Sequence, residues 1–130
     1  MKKIISTIIF AASIFISASV YAGEPNVYHV VLVDLKDGVT AQQIEEMTTV
    51  GKALLANIPG VLDISINKKA REDRKVHIKD YDLGVLVKWE NNKTGDIYAP
   101  HVLHQTFLKL YKDMFKSIRV IDFYGNENPK

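Results

Sequence analysis

Residues 27–35, VYHVVLVDL, decide the fold of this 130-residue chain. The stretch is rich in valine, a β-branched residue that favours extended structure, and it therefore predicts a strand. Alternate side chains point to opposite faces. Val27, His29, Val31, Val33 and Leu35 share one face, and Tyr28, Val30 and Leu32 share the other. Because both sets are largely apolar, the pattern indicates a sheet that is covered on both sides.

A helix is predicted after this strand and the KDG turn that follows it. Thr40 and Gln43 have the spacing of a capping box, and Pro59-Gly60 ends the helix. Apolar side chains repeat between these points at helical intervals. They are Ile44, Met47, Gly51, Leu54, Leu55 and Ile58.

The rest of the chain predicts three more strands and a second helix. Strands are expected over 61–67, 81–90 and 118–124, with the charge-dense segment 68–80 as an exposed loop. One helical turn over 96–99 is interrupted at Pro100, where a new helix can begin. The expected apolar faces are Leu62, Ile64 and Ile66; Tyr81, Leu83, Val85, Val87 and Trp89; and, on the helix, Leu103, Phe107, Leu110 and Met114.

The predicted order is β-α-β-β-α-β, which is typical of a ferredoxin-like α+β fold with a four-stranded antiparallel sheet. Two helices cover only one face of such a sheet. The strands are apolar on both faces, so the other face requires a partner. A second copy of the sheet meets this requirement, and we expect a homodimer that forms a dimeric α/β barrel.

The N-terminus predicts export. Lys2 and Lys3 precede an apolar run over 4–18, and Ala22 provides a small residue at a cleavage site, as in a secretory signal peptide over 1–22. Residues 23–130 then form one domain, periplasmic or secreted, with no membrane segment after cleavage. The 17 Lys and Arg against 15 Asp and Glu become balanced without Lys2 and Lys3, so no nucleic-acid partner is expected. The chain has no cysteine, which excludes thiol catalysis and thiolate metal sites.

Residues 98–107, YAPHVLHQTF, are the most chemically suggestive stretch. His101 and His104, three apart on a helix, can reach one cation, and His29 is a possible third ligand. No carboxylate stands at a diagnostic spacing to complete a zinc set, and a metal-binding protein is kept as an alternative. No metal and no cofactor are expected.

The same stretch also suggests acid–base chemistry. A kink at Pro100 can direct Tyr98 and His104 into one cavity, where the imidazole takes a proton and the phenol donates to a developing oxyanion. On chemistry alone the favoured interpretation is that Tyr98 packs at the edge of the core while His104 caps the helix or is solvated, since both residue types often occupy half-buried positions.

The chain resembles the stress-responsive dimeric α/β-barrel (Dabb) domain family over residues 27–125. The resemblance rests on the order of VYHVVLVDLKDGVTAQQIEEM, IPGVLDISIN, YDLGVLVKWEN, YAPHVLHQTF and IRVIDFYG. It implies a homodimer with a cavity between sheet and helices in each protomer. One plant member, olivetolic acid cyclase, catalyses an aldol-type cyclisation. Its catalytic residues fall on Tyr98 and His104 and a pocket histidine on His29, whereas Leu83 replaces a further pocket histidine.

We therefore expect an exported homodimer that binds a small apolar or aromatic molecule. The expected ligand-binding residues are His29, Leu83, Tyr98, His101, His104 and Phe107. The alternatives are a cofactor-free enzyme, a cyclase, lyase or monooxygenase in which His104 is the base and Tyr98 the oxyanion donor, and a metal-binding protein that uses His101 and His104.

Overall fold

A computed structural model describes residues 23–127, so the predicted signal peptide over 1–22 lies outside the described residues. The strands are β1 (Pro25–Leu35), β2 (Val61–Lys68), β3 (Leu83–Trp89) and β4 (Phe115–Glu127). The α-helices are α1 (Ala41–Leu55), α2 (Asn92–Tyr98) and α3 (Val102–Tyr111), and a 3-10 turn (Lys112–Met114) leads into β4. No helix in this part of the chain is long and apolar enough to cross a membrane.

The four strands form one antiparallel sheet in the order β2-β3-β1-β4, which confirms the predicted ferredoxin-like α+β fold. Strand β1, which contains residues 27–35, lies inside the sheet and pairs with β3 on one side and β4 on the other. Val31 is opposite both Val85 and Val120. Cross-strand partners face the same side of a sheet, so this register sets which residues meet the helices.

The hydrophobic core lies between the helices and the inner face of the sheet. Its most deeply buried side chains are Met47, Ile58, Ile66, Leu83 and Val87. The outer face carries Tyr28, Val30 and Leu32 from β1, Leu86 from β3, and Ile121 and Phe123 from β4. Ile121 is 63% exposed and Phe123 50% exposed, because no element among residues 23–127 covers this face.

The structure corrects the predicted helix boundaries after β3. The helical turn expected over 96–99 is the end of the seven-residue helix α2, which starts earlier because the Asn91 side chain accepts hydrogen bonds from the Lys93 and Thr94 N–H groups. The next helix begins at Val102 and not at Pro100. His101 is extended, with φ −61° and ψ 141°, and its Nδ1 accepts from Leu103 N–H as the N-cap.

Three apolar faces also differ from the prediction. Leu62 is exposed because a register shift between Val61 and Asp63 breaks the alternation at the start of β2. Tyr81 precedes β3. On α3, Leu110 is exposed and Tyr111 is buried, because the inward-facing stripe runs through the partly buried Leu103 and the buried Phe107 and Tyr111 at four-residue steps. β4 starts at Phe115, three residues before the predicted strand, since Phe115 already pairs with Leu35.

Gly60 joins α1 to β2 where the backbone touches α2. Its φ is +88°, and an added Cβ would lie 2.4 Å from the Thr94 Oγ1 atom. Gly38 has φ +87° but open space around a Cβ. Replacement of either glycine by alanine should lower the free energy of unfolding by about 1–2 kcal/mol, because φ is positive at both positions. Gly60→Ala should lower it by about 1–3 kcal/mol more, because the new methyl group is overpacked against Thr94. Urea unfolding of Gly60→Ala and Gly38→Ala measures the difference. Equal losses of stability in the two variants would contradict the close contact with Thr94.

Candidate functional site

A cavity of about 470 Å³ lies between the inner face of the sheet and the helices. Most of its wall is apolar, and one region is polar and aromatic. The apolar wall includes Val31, Met47, Leu55, Ile66, Leu83, Phe107 and Phe115. The polar region contains His29, Trp89, Asp96, Tyr98, His104 and Asp122. A cavity of this size and composition is typical of sites for small molecules.

His29 enters the cavity from β1 and is held on two sides. Its Nδ1 lies 2.6 Å from Asp122 Oδ1 on β4, and its ring stacks on Trp89 of β3 with centroids 4.5 Å apart. The strand register explains both contacts. His29 is opposite Asp122 on β4, and on β3 it is opposite Val87, two residues from Trp89 on the same face. In the neutral tautomer whose Nδ1–H donates to this carboxylate, the Nε2 atom is unprotonated and can accept a hydrogen bond.

Tyr98 is the last residue of α2 and is buried against the aromatic side chains of the site. Its ring centroid is 5.3 Å from Trp89 and 4.8 Å from His104. α2 approaches β3 closely because residue 95 is glycine, where a Cβ would lie 2.8 Å from the Trp89 ring. The Tyr98 hydroxyl has no hydrogen-bond partner within residues 23–127. Burial raises its pKa, so the phenol stays protonated and is available as a donor.

His104 lies in the first turn of α3 beside the Tyr98 ring. Its Nδ1 is 3.1 Å from the Ala99 carbonyl oxygen. A carbonyl oxygen only accepts, so Nδ1 carries the proton and the neutral ring offers Nε2 as an acceptor or base. Burial lowers the pKa of His104; the Ala99 carbonyl acts in the opposite direction, and nearby His29 adds to the lowering. The ring is therefore neutral near pH 7.

The lowered pKa of His104 predicts a pH-dependent loss of stability. As pH falls below about 6.5, the ordinary His value, unfolded chains take up a proton at residue 104 before folded chains do. Stability from this group is therefore present above that pH and is lost as pH falls through the folded pKa. His104→Asn keeps an N–H for Ala99 and removes the titration. In urea unfolding between pH 7.5 and 5.5, the free energy of unfolding of the wild type should fall more steeply with falling pH than that of the variant. A steeper fall for the variant would contradict the neutral buried ring.

His101 is the one predicted ligand-binding residue that does not line the cavity. Its Nδ1 is used by the N-cap of α3, and the Gln105 side chain joins His104 on the Ala99 carbonyl at 2.8 Å. Among residues 23–127, no group of three or more His, Asp or Glu side chains is arranged to hold a metal ion. The role of His101 here is to fix the bend between α2 and α3 that places Tyr98 beside His104.

The structure brings together the other five predicted residues and adds two that sequence reasoning missed. His29, Leu83, Tyr98, His104 and Phe107 all line the cavity. The sequence pattern predicts only a strand face for Trp89 and no site role for Asp122. A signal for Asp122 was present, because it is a lone acidic residue in the apolar strand sequence IRVIDFY.

These features define a class: a ferredoxin-like α+β protein with a mainly apolar cavity between sheet and helices and a tyrosine–histidine pair in its wall. The model of the stress responsive A/B barrel domain (Dabb) matches residues 27–124. The chain belongs to the Dabb family, as the sequence resemblance predicted.

Solved structures share this fold. The chain is similar to a dimeric ferredoxin-like protein of unknown function from Thermobifida fusca, with 21% identity, TM-score 0.67, and coverage of 82% of this chain and 96% of that one. It is similar to a Dabb family protein from Mesorhizobium loti, with 18% identity, TM-score 0.65, and coverage of 77% and 96%. A hydroxynitrile lyase from Passiflora edulis is also similar, with 13% identity, TM-score 0.68, and coverage of 82% and 98%. No curated protein matches the sequence.

Proposed function

We propose that this protein is an exported Dabb homodimer that binds a small apolar or aromatic molecule in the cavity between its sheet and helices. The observation that carries the proposal is the cavity itself, about 470 Å³ with a mostly apolar wall. Such a wall favours removal of apolar ligand surface from water by about 25 cal/mol per Å². The aromatic rings of Trp89 and Tyr98 offer stacking surfaces, which favours ligands that contain a ring.

The homodimer is proposed from the outer face of the sheet. Leu86 on β3 and Ile121 and Phe123 on β4 are all exposed there, with β1 between them. An exposed apolar patch of this kind marks an interaction surface. A second copy presents the same patch, which suits a two-fold interface. The similar protein from Thermobifida fusca is described as dimeric.

Export is proposed from the leader alone. Two lysines, an apolar run and a small residue at position 22 have the layout of a signal peptide. The absence of cysteine in the chain means that an exported form depends on its core and on its dimer interface for stability.

A ring added inside the cavity should prevent binding. Val31 lies in the middle of β1, opposite Val85 and Val120, and its side chain lines the cavity. Val31→Phe places a phenyl group in the space that a ligand would occupy. In thermal-shift measurements with a panel of phenolic and fatty compounds, the wild type should gain stability with at least one compound. The variant should require about tenfold more ligand or lose the shift entirely.

Val102→Phe is the matched control, because Val102 is exposed on α3 and does not line the cavity. It should retain the ligand response. Absence of any shift in the wild type across the panel would remove the main support for the binding function, and equal responses of the Val31 and Val102 variants would place binding outside the cavity.

A second candidate function, cofactor-free proton-transfer catalysis, is favoured by one arrangement. Among residues 23–127 the Tyr98 hydroxyl has no hydrogen-bond partner, and the neighbouring His104 ring uses its Nδ1 but not its Nε2. An aromatic hydroxynitrile is a suitable first substrate, since a hydroxynitrile lyase has a similar fold. His104 Nε2 would take the hydroxyl proton, the bond to the nitrile carbon would break as the carbonyl forms, and the electron pair would leave on cyanide. Cyanide would then take the proton from His104 Nε2 and leave as hydrogen cyanide, which restores the neutral base. Tyr98 would donate a hydrogen bond to the developing negative charge.

A further inference from the structure

We infer that the ligand is an elongated, uncharged molecule with a hydroxyl-bearing head and an apolar tail, and that the cavity disfavours carboxylates. This inference rests on the proposed binding function and adds to it the chemical class and orientation of the ligand. It depends on how polar and apolar groups are distributed along β1 and on the charges of the cavity wall.

The register gives the cavity two unlike ends. At one end, His29 faces Asp122 on β4. At the other, Val33 lies between Leu83 of β3 and Ile118 of β4, and all three line the cavity. His29 and Val33 are four residues apart on β1, which is about 13 Å along a strand. A ligand that fills the cavity along this direction must be elongated, polar at the His29 end and apolar at the Val33 end.

Four groups at the polar end, His29, His104, Asp122 and Tyr98, present mainly hydrogen-bond acceptors, and the buried Trp89 N–H beside them is a donor without a partner among the described residues. His29 Nδ1 pairs with Asp122 and His104 Nδ1 donates to Ala99, so the neutral form of each ring offers Nε2 as an acceptor. The Asp122 carboxylate accepts only. The Tyr98 hydroxyl is the one group of these four that both donates and accepts. A hydroxyl head matches this set, because it donates to an imidazole or carboxylate and accepts from Tyr98.

The charge of the wall acts against an anionic head. The lining includes two carboxylates, Asp96 and Asp122, and among the described residues none that lines the cavity is lysine or arginine. A bound carboxylate would lose water beside these like charges, and no lysine or arginine of the lining would compensate it, which is unfavourable. A phenol or an alcohol carries no such penalty. Fatty acids and aromatic acids should therefore bind more weakly than the corresponding alcohols and phenols.

A pair of ligands that differ only in the head tests this directly. Isothermal titration of the protein at pH 8 compares 4-butylphenol with 4-butylbenzoate. The phenol should bind at least tenfold more tightly. From 4-ethylphenol to 4-butylphenol, each methylene should raise affinity about threefold to fourfold as the tail enters the apolar end. Asp122→Asn keeps an acceptor for His29 and removes a negative charge. It should therefore reduce the difference in affinity between 4-butylphenol and 4-butylbenzoate.

The outcomes separate this inference from the function on which it rests. Equal or tighter binding of 4-butylbenzoate would overturn the inference that the ligand has an uncharged hydroxyl head. The proposed binding function would still stand. A flat response to tail length would overturn the assignment of the apolar end. If neither 4-butylphenol nor 4-butylbenzoate binds and the wider panel is also inactive, the proposed binding function fails together with the inference.

Discussion

Ile121→Asp should convert the proposed homodimer into monomers. Ile121 lies on the outer face of the sheet beside Val30, and 63% of the residue is exposed in the single chain. A two-fold interface over this face would bury both copies of the new carboxylate without a partner. The expected cost is about 3–5 kcal/mol for each uncompensated buried charge, so the dissociation constant should rise by about four orders of magnitude or more. Light scattering after size exclusion measures the change in mass.

Leu110→Asp is the control for this experiment. Leu110 is also more than half exposed, but it lies on α3, on the opposite side of the molecule from the outer face of the sheet. The same charge placed there should leave the dimer intact. A wild-type monomer, or an Ile121→Asp variant that stays dimeric at micromolar concentration, would contradict the proposed interface.

His104→Asn should abolish turnover if the cavity catalyses proton transfer. The asparagine amide can still donate to the Ala99 carbonyl as His104 Nδ1 does, but it has no basic nitrogen in place of Nε2. Loss of a general base lowers the rate by about 10²- to 10⁴-fold. Assays with an aromatic hydroxynitrile measure release of the aldehyde by absorbance, with the wild type and the variant at equal concentration.

His101→Asn makes the same substitution three residues away. Asparagine is a favourable N-cap residue, so it should replace the cap that His101 provides to α3. This variant should keep wild-type turnover, and its unfolding should change by less than about 1 kcal/mol. Equal turnover of the wild type and the His104 variant would end the catalytic candidate, while the binding function would be unaffected.

The order of strands and helices was predictable because it depends on local patterns. The β-branched run in β1 and the helical spacing between Thr40 and Ile58 specify elements without reference to distant residues. The correct fold class followed from the order alone. Errors arose where one side chain decides a boundary, as at Asn91 and His101, whose caps move the starts of α2 and α3.

The site was predictable only in part, because its geometry depends on contacts between distant segments. The pairing of His29 with Asp122 joins residues 93 apart in sequence and requires the register between β1 and β4. The stacking of His29 on Trp89 requires the register with β3 as well. The resemblance to Dabb proteins indicated Tyr98, His104 and His29. The cavity volume results from packing of the helices on the sheet, for which the sequence carries no local signal.

The intrinsic fluorescence of Trp89 tests the central claim, that the cavity binds a small apolar or aromatic molecule, most directly. Trp89 is the only tryptophan of the chain; it lines the cavity and is 5% exposed. Titration with 4-butylphenol should change its emission in a saturable way, with one ligand per chain, and Val31→Phe should remove that change. Emission that stays constant with every compound of the panel, or that changes identically in the Val31 variant, would contradict the account.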